Sequence, residues 1–278
     1  LSKLGDGREL KHPKISGASV NDIFNSLKFE VDECKVNYGK VSVVMTAFNP
    51  DVELLKLSLD SIANQSYKNY EIIFIDDASN YEKKAELQAL VNKYQNTRFI
   101  RNKINSGPYS GRNEALEIAT GDFIAIQDAD DFSHPQRFET QLKTLRANDY
   151  IKLVASQHVR IDKYGTIQFE AGFQAFGDGT MTSMFRKEVF EEVGKFLAVR
   201  SRGDVEMRER IINYYGAPAY TELDYPLVYC FADANTLSQT IARERRGALS
   251  IFREAIRNSY NRPEKTLNKP LVPISLRV

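Results

Sequence analysis

Between Lys40 and Asp131 the chain alternates short continuous apolar runs with longer stretches whose apolar residues fall three and four apart. The first run, Lys40 to Asn49 (KVSVVMTAFN), has the pattern of a strand buried on both faces. Asn49-Pro50-Asp51 breaks it, because proline restricts the residue before it and opens a helix well. Leu55, Leu59 and Ile62 then share one helical face. Tyr70 to Asp77 (YEIIFIDD) is the second strand, with Ala78 and Ser79 turning the chain, and Leu87, Leu90, Val91 and Tyr94 mark a second amphipathic helix. Arg98 to Arg101 reads as a third strand, and the segment from Asn105 (NSGPYSGRN) opens a third helix carrying Ala115, Leu116 and Ala119. Phe123 to Ile126 closes the series. Strand and helix in alternation predict an α/β fold whose mostly parallel sheet carries helices on both faces.

Beyond Ile151 the rhythm changes. Leu153 to Ile161 predicts a strand, Asp162 to Gly165 a turn, and Thr166 to Phe169 its returning partner. Phe173 to Gly179 is a glycine-punctuated aromatic loop, Thr180 to Phe185 a strand, Arg186 to Val193 a helix, and a further helix opens after Ser201. Residues 1–39 are polar and irregular apart from one helical face at Val20, Ile23, Phe24 and Leu27, which predicts an extension or strap. The expected organisation is an extension at 1–39, an α/β domain at 40–235 with halves at 40–131 and 132–235, and a basic helical extension at 236–278.

The chemistry concentrates where the fourth strand ends. In GDFIAIQDADDFSHPQR, Asp128, Asp130 and Asp131 follow the apolar run, at the edge of an open α/β sheet where ligands bind. Asp128 and Asp130, one residue apart, can turn toward one hard cation, and oxygen-only ligands suit Mg²⁺ or Mn²⁺. The rival reading is an acidic loop capping the helix that starts near Pro135; Asp131 fits a cap, and His134 a structural role. Asp76 and Asp77 end the second strand at the same edge, where a carboxylate can accept from a ligand donor or else cap a helix near Tyr81. Gly107 and Gly111 relax the backbone before a helix N-terminus, a natural anion site, and Arg112 there can pair with phosphate or with a neighbouring acid.

Composition changes little of this. The chain has 278 residues, 42% hydrophobic and 27% charged, enough for one large α/β domain. Net charge of +1 argues against nucleic acid as a partner. Its distribution is uneven: Gln239 to Val278 holds nine basic and three acidic residues, so the tail is +6 and the rest −5. Leu249, Phe252 and Ile256 give Thr240 to Tyr260 an apolar helical face, which fits packing on the domain or on a membrane surface, or a solvated basic helix. The two cysteines, Cys34 and Cys230, form no metal-ligand spacing and point to a reduced, cytoplasmic setting, with peripheral contact at the inner face of the membrane left open. No apolar run is long enough to span a bilayer.

Taken together, TAFN, IDDAS, NSGPYSGRNEA, GDFIAIQDADD and GDVEMRERI resemble the ordered motifs of a family 2 glycosyltransferase of the GT-A fold, from about Lys40 to Tyr229. The resemblance implies transfer of a sugar from a nucleotide-diphosphate donor, most simply a UDP-sugar, to a hydroxyl of a glycan or lipid-linked glycan acceptor, with inversion and a divalent metal. It implies that Thr46, Asn49, Asp76 and Asp77 lie around the nucleotide, that Arg112 opens the helix before the metal strand, and that Asp128 and Asp130 are the metal motif. Asp204 matches the base that takes the acceptor proton, with Glu206 as the rival. Two positions depart from the pattern. Gly203 replaces the acid that precedes the base, and the stretch from Tyr229-Cys230-Phe231 to Ser238 lacks both the arginine and the following histidine of the fold's end, with Asp233, Asn235 or a tail arginine as candidate stand-ins. A sugar nucleotidylyltransferase would want a glycine-rich basic loop after the first strand, which TAFNPDVE does not offer; a catalytically silent nucleotide-sugar-binding domain is the alternative from another class.

Overall fold

The computed structural model describes residues 29–162, 166–168, 176–177, 179–199 and 201–232. The expected helices at Val20 to Leu27 and Thr240 to Tyr260, the turn before Thr166, Phe173, Asp233 and Asn235 lie outside the described residues. Strands β1 (Val41–Ala47), β2 (Tyr70–Asp76), β3 (Thr97–Arg101) and β4 (Phe123–Asp128) alternate with helices α1 (Val52–Ala63), α2 (Lys84–Val91) and α3 (Pro108–Ile118). After β4 come β5 (Asp131–Ser133), α4 (Arg137–Ala147), β6 (Leu153–Asp162), β7 (Ile167–Gln168), β8 (Met184–Arg186), α5 (Val189–Glu192), α6 (Gly203–Tyr215) and β9 (Tyr220–Ala232). Among the described residues they form one sheet in the order β3-β2-β1-β4-β8-β6-β9-β5, with β7 on β6.

The first four strands are parallel, with Thr46 level with Ile75 on one side and Asp128 on the other. Their C-terminal ends therefore share one edge. β8 pairs antiparallel with β4 and β6, while β6 and β9 run parallel through an irregularity at Ser156 to His158. Side chains alternate across the sheet, so Val44, Ile73, Ile75, Ile124 and Ile126 pack on one face with Ala115, Leu116, Met207 and Ile211 of α3 and α6. Val43, Met45, Ile72 and Phe74 pack on the other with Leu55, Leu59, Leu87 and Leu142 of α1, α2 and α4. Both layers are dry, and they hold the shared edge rigid from two sides.

Local signals explain the helix starts. Asp51 caps α1, its carboxylate accepting from the Glu53 and Leu54 amides at 2.9 and 3.1 Å. Gly107 precedes α3 at a φ of 87° and Pro108 takes the first turn, where its missing N–H costs nothing. Three expectations change. Asp131–Ser133 is no helix cap but a strand, paired with β9. Thr180–Thr182 is a 3-10 turn before β8, the Thr182 amide donating to the Gly179 carbonyl at 2.9 Å instead of continuing a ladder. The segment after Arg186 is helical for only the turn of α5.

Candidate active site

At the C-terminal edge of the parallel strands, side chains from α3, β4, the 180–182 turn and α6 form a chain of alternating charge. Arg112, buried in α3, donates to Asp128 Oδ1 at 2.8 Å, and its guanidinium lies 4.8 Å from the centre of the Tyr109 ring. Tyr109 donates to Asp204 Oδ1 at 2.6 Å, and Thr180 donates to Oδ2 at 2.6 Å. One carboxylate on the β4 side is thus linked through a cation and a ring to another at the start of α6. Burial alone would raise the Asp204 pKa, but the Thr180 and Tyr109 hydrogen bonds and the Arg112 charge outweigh it and hold the group below the ordinary range. For Arg112, burial is likewise outweighed, chiefly by Asp128, and its pKa rises.

Asp128, Asp130 and Asp131 crowd one another. Burial first, and then the Asp128 charge, push Asp130 up to about 6. Asp131 is raised well above its usual value by burial and by both neighbours, and it accepts from the Cys230 thiol at 3.3 Å. Carboxylates held at such mutual cost, with hard oxygen donors and a third of the Asp128 side chain open to solvent, fit a divalent cation of the Mg²⁺ or Mn²⁺ kind. No group of three or more His, Cys, Asp or Glu converges as a ready metal cage among the described residues.

Of the remaining expected residues, Asp76 and Asp77 are buried and Thr46 and Asn49 partly exposed. Asp76 is fully buried, pairs with Arg101 and accepts from the Ser79 amide at 2.9 Å. Asp77 neither caps the turn at Tyr81 nor lies open: its two oxygens accept from Asn102 Nδ2 at 3.1 Å, from the Ser106 amide at 3.0 and 3.1 Å, and from the Gly107 amide at 2.7 Å. Asp77 thereby braces the start of α3 through the Ser106 and Gly107 amides. Asn49, at a φ of 47°, braces the first loop against the second, donating from its amide to Ser79 Oγ at 2.8 Å and accepting from the Asn80 amide at 2.7 Å. Thr46 lies against α3, where a Cβ on Gly111 would come within 3.0 Å of its methyl. Glu206 points the other way, fully buried and paired with buried Arg210 one helical turn on.

Several participants were not singled out by the sequence. Phe48, 52% exposed between Thr46 and Asn49, is an aromatic surface at the ligand edge. Tyr109 and Thr180 meet Asp204 only through the fold. Arg137, wholly buried, donates to Gln127 Oε1 and Ser133 Oγ at 2.8 and 2.9 Å, to the Ile126 and Thr182 carbonyls at 2.7 and 3.0 Å, and to Gln141 Oε1 at 3.2 Å. It ties the end of β4 to the turn that carries Thr180.

With this geometry in hand, the comparisons with known proteins are consistent. Residues 42–201 match the family described as glycosyl transferase family 2. An uncharacterized glycosyltransferase of Methanocaldococcus jannaschii is 40% identical over 131 residues, covering 46% of this chain and 44% of its own length. The EpsE protein of Bacillus subtilis, named as a glycosyltransferase, is 37% identical over 127 residues, 45% of each chain. This chain therefore spans under half the length of the curated relatives it matches. Among solved structures, the mannosyltransferase PcManGT of Pyrobaculum calidifontis, in complex with GDP-Man and Mn²⁺, superposes with a TM-score of 0.59 at 18% identity over 85% of this chain and 70% of that one. TarS 1-349 of S. aureus, in complex with UDP-GlcNAc, gives 0.57 at 18% identity over 71% and 60%. These likenesses show the GT-A fold. No described helix is long and apolar enough to cross a membrane.

Proposed function

The chain belongs to glycosyl transferase family 2, and on that premise we propose that it transfers a sugar from a nucleoside-diphosphate donor, UDP being the expected nucleotide, to a hydroxyl of a glycan or lipid-linked glycan acceptor, with inversion. One observation carries the reading: the Asp128–Arg112–Tyr109–Asp204–Thr180 chain unites a donor-side acid cluster with an ionised carboxylate at a single edge of the sheet. Ionised and only half-buried, Asp204 has lone-pair capacity left beside its hydrogen bonds from Tyr109, Thr180 and the Val205 amide to accept a proton.

In the proposed reaction the acceptor oxygen attacks the anomeric carbon as the bond from that carbon to the diphosphate oxygen breaks, and the acceptor proton passes to Asp204. Thr46 and Phe48 line the nucleotide side, where an aromatic face suits a base. Asn49, Asp76 and Asp77 hold the loops around it, through the bonds described above. Asp128 and Asp130 would hold Mg²⁺ or Mn²⁺, which when bound supplies positive charge against the departing diphosphate. Arg112 orients Asp128 and adds a second cation nearby.

The test is a panel of nucleotide sugars with release of nucleotide as the readout, run on the parent and on Asp204→Asn. Asparagine keeps the shape but cannot take the proton, so Asp204→Asn should bind UDP within about twofold of the parent and lose transfer by roughly 10² to 10⁴. Transfer within a few-fold of the parent would remove Asp204 from the role. A parent that binds UDP yet releases nucleotide from no donor would mark a silent binding domain.

A further inference from the structure

We propose that Tyr109 and Thr180 are positioning residues that aim the Asp204 carboxylate, and that glycine stands at 203 because the Tyr109 ring fills the space a side chain there would need. The proposal rests on the reading of Asp204 as base. Each of its oxygens accepts one hydroxyl at 2.6 Å, and the two donors come from different elements, so the plane of the carboxylate is fixed as well as its position. A Cβ built on Gly203 would lie 2.7 to 2.9 Å from three atoms of the Tyr109 ring, closer than any real contact. The ring has little room to retreat, lying 5.8 Å from the Phe196 ring, with Arg112 4.8 Å from its centre. Arg202, immediately before, turns the chain with a φ of 63° and delivers Gly203 against that ring. The missing acid at 203 and the tyrosine at 109 are therefore one feature: an aromatic ring fills the room beside the base, and its hydroxyl reaches the carboxylate.

The arrangement leaves proton uptake to Asp204 alone. The groups facing it are Tyr109 and Arg112 from α3, Thr180 from the 180–182 turn, and the Val205 amide of its own helix. Burial, reinforced by Asp204, raises the Tyr109 hydroxyl well above its ordinary value, so it stays a donor throughout the working range. Two donated hydrogen bonds favour the charged carboxylate, and removing either should make it easier to protonate.

The test uses Tyr109→Phe and Thr180→Val, each of which deletes a hydroxyl and keeps the bulk, with circular dichroism to establish folding. In protein labelled with ¹³Cγ-aspartate, the Asp204 signal, assigned by its loss in Asp204→Asn, should titrate about one pH unit higher in each variant than in the parent. On the donor identified from the nucleotide-sugar panel, kcat should fall about tenfold or more, with donor KM within twofold and the acid limb of the kcat profile moved upward to match. Gly203→Ala should reduce kcat in the parent but add little in a Tyr109→Ala background, since the ring it strikes is gone. Unchanged Asp204 titration and kcat in both hydroxyl variants would overturn the proposal, and were Tyr109→Phe not to fold, Thr180→Val decides it alone. If Asp204→Asn stays active while Tyr109→Phe still moves the titration, the base reading falls and the positioning stands.

Discussion

Replacing Glu71 with glutamine should reveal how the edge of the sheet opposite the site is held. Its carboxylate, with a side chain only 4% exposed, accepts from Ser42 Oγ at 2.7 Å, from the Thr120 amide and hydroxyl at 2.8 and 2.7 Å, and from Arg98 at 2.9 Å, with Lys40 at 3.3 Å. It thereby joins the starts of β1, β2 and β3 to the turn before β4. Burial opposes its charge, but the Thr120 and Ser42 hydrogen bonds and Lys40 overcome that and lower its pKa from 4.5 to about 2. At about 1.36 kcal/mol per unit the shift corresponds to a stabilisation on the order of 3 kcal/mol. Arg98 and Lys40 are partly solvated, so screening brings the expected contribution to about 2–3 kcal/mol. A depressed carboxylate stabilises the fold above its unfolded value near 4.5 and loses that contribution as pH falls through about 2. Glu71→Gln should therefore cost about 2–3 kcal/mol at pH 7, roughly 5–10 °C in Tm, and clearly less at pH 3. Urea unfolding followed by circular dichroism at pH 7, 4 and 3 measures this, with UDP affinity as a control that stays within twofold. A penalty under about 0.5 kcal/mol at pH 7, or one that does not shrink with acid, would refute the assignment of the low pKa to this network.

Donor binding should need both metal and Asp130: EDTA treatment, or Asp130→Ala, should weaken UDP binding at least tenfold by calorimetry, and unchanged affinity in both would count against a metal-bridged diphosphate. Phe48→Ala should weaken UDP by about 5- to 100-fold, the range expected for one base stacked on an aromatic side chain, whereas an equal Kd would return Phe48 to ordinary surface. Glu206→Gln leaves Arg210 buried with a weaker partner, so it should cost about 3 kcal/mol or more of stability while kcat per folded molecule stays within threefold. A collapse of kcat without loss of stability would instead make Glu206 the base.

What could be read from the residues was whatever acts locally. The four parallel strands and their helices follow from runs such as VSVVMTA and YEIIFID, in which nearly every residue must be dry, and from helix starts such as Asp51 and Pro108 that satisfy or omit their own orphan amides. Asp131–Ser133 was misread because a three-residue segment after two acids fits a cap, and the partner that makes it a strand, β9, lies nearly a hundred residues on: Asp131 faces Cys230. Asp77 shows the same limit at a site. Strand-end acids invite a ligand or a helix cap; the cap near Tyr81 does not form, and the backbone amides that reach Asp77 are those of the Ser106–Gly107 turn, brought there by β3 lying alongside β2. The base is the sharpest case. Asp204 was identified by resemblance, and glycine in place of an acid at 203 was visible as a departure, but its cause is a ring 94 positions earlier, and Thr180 reaches the same carboxylate from a third segment. A missing side chain beside a functional acid is thus a signal in its own right: something else fills the space, and here the filler carries a hydroxyl that reaches the acid.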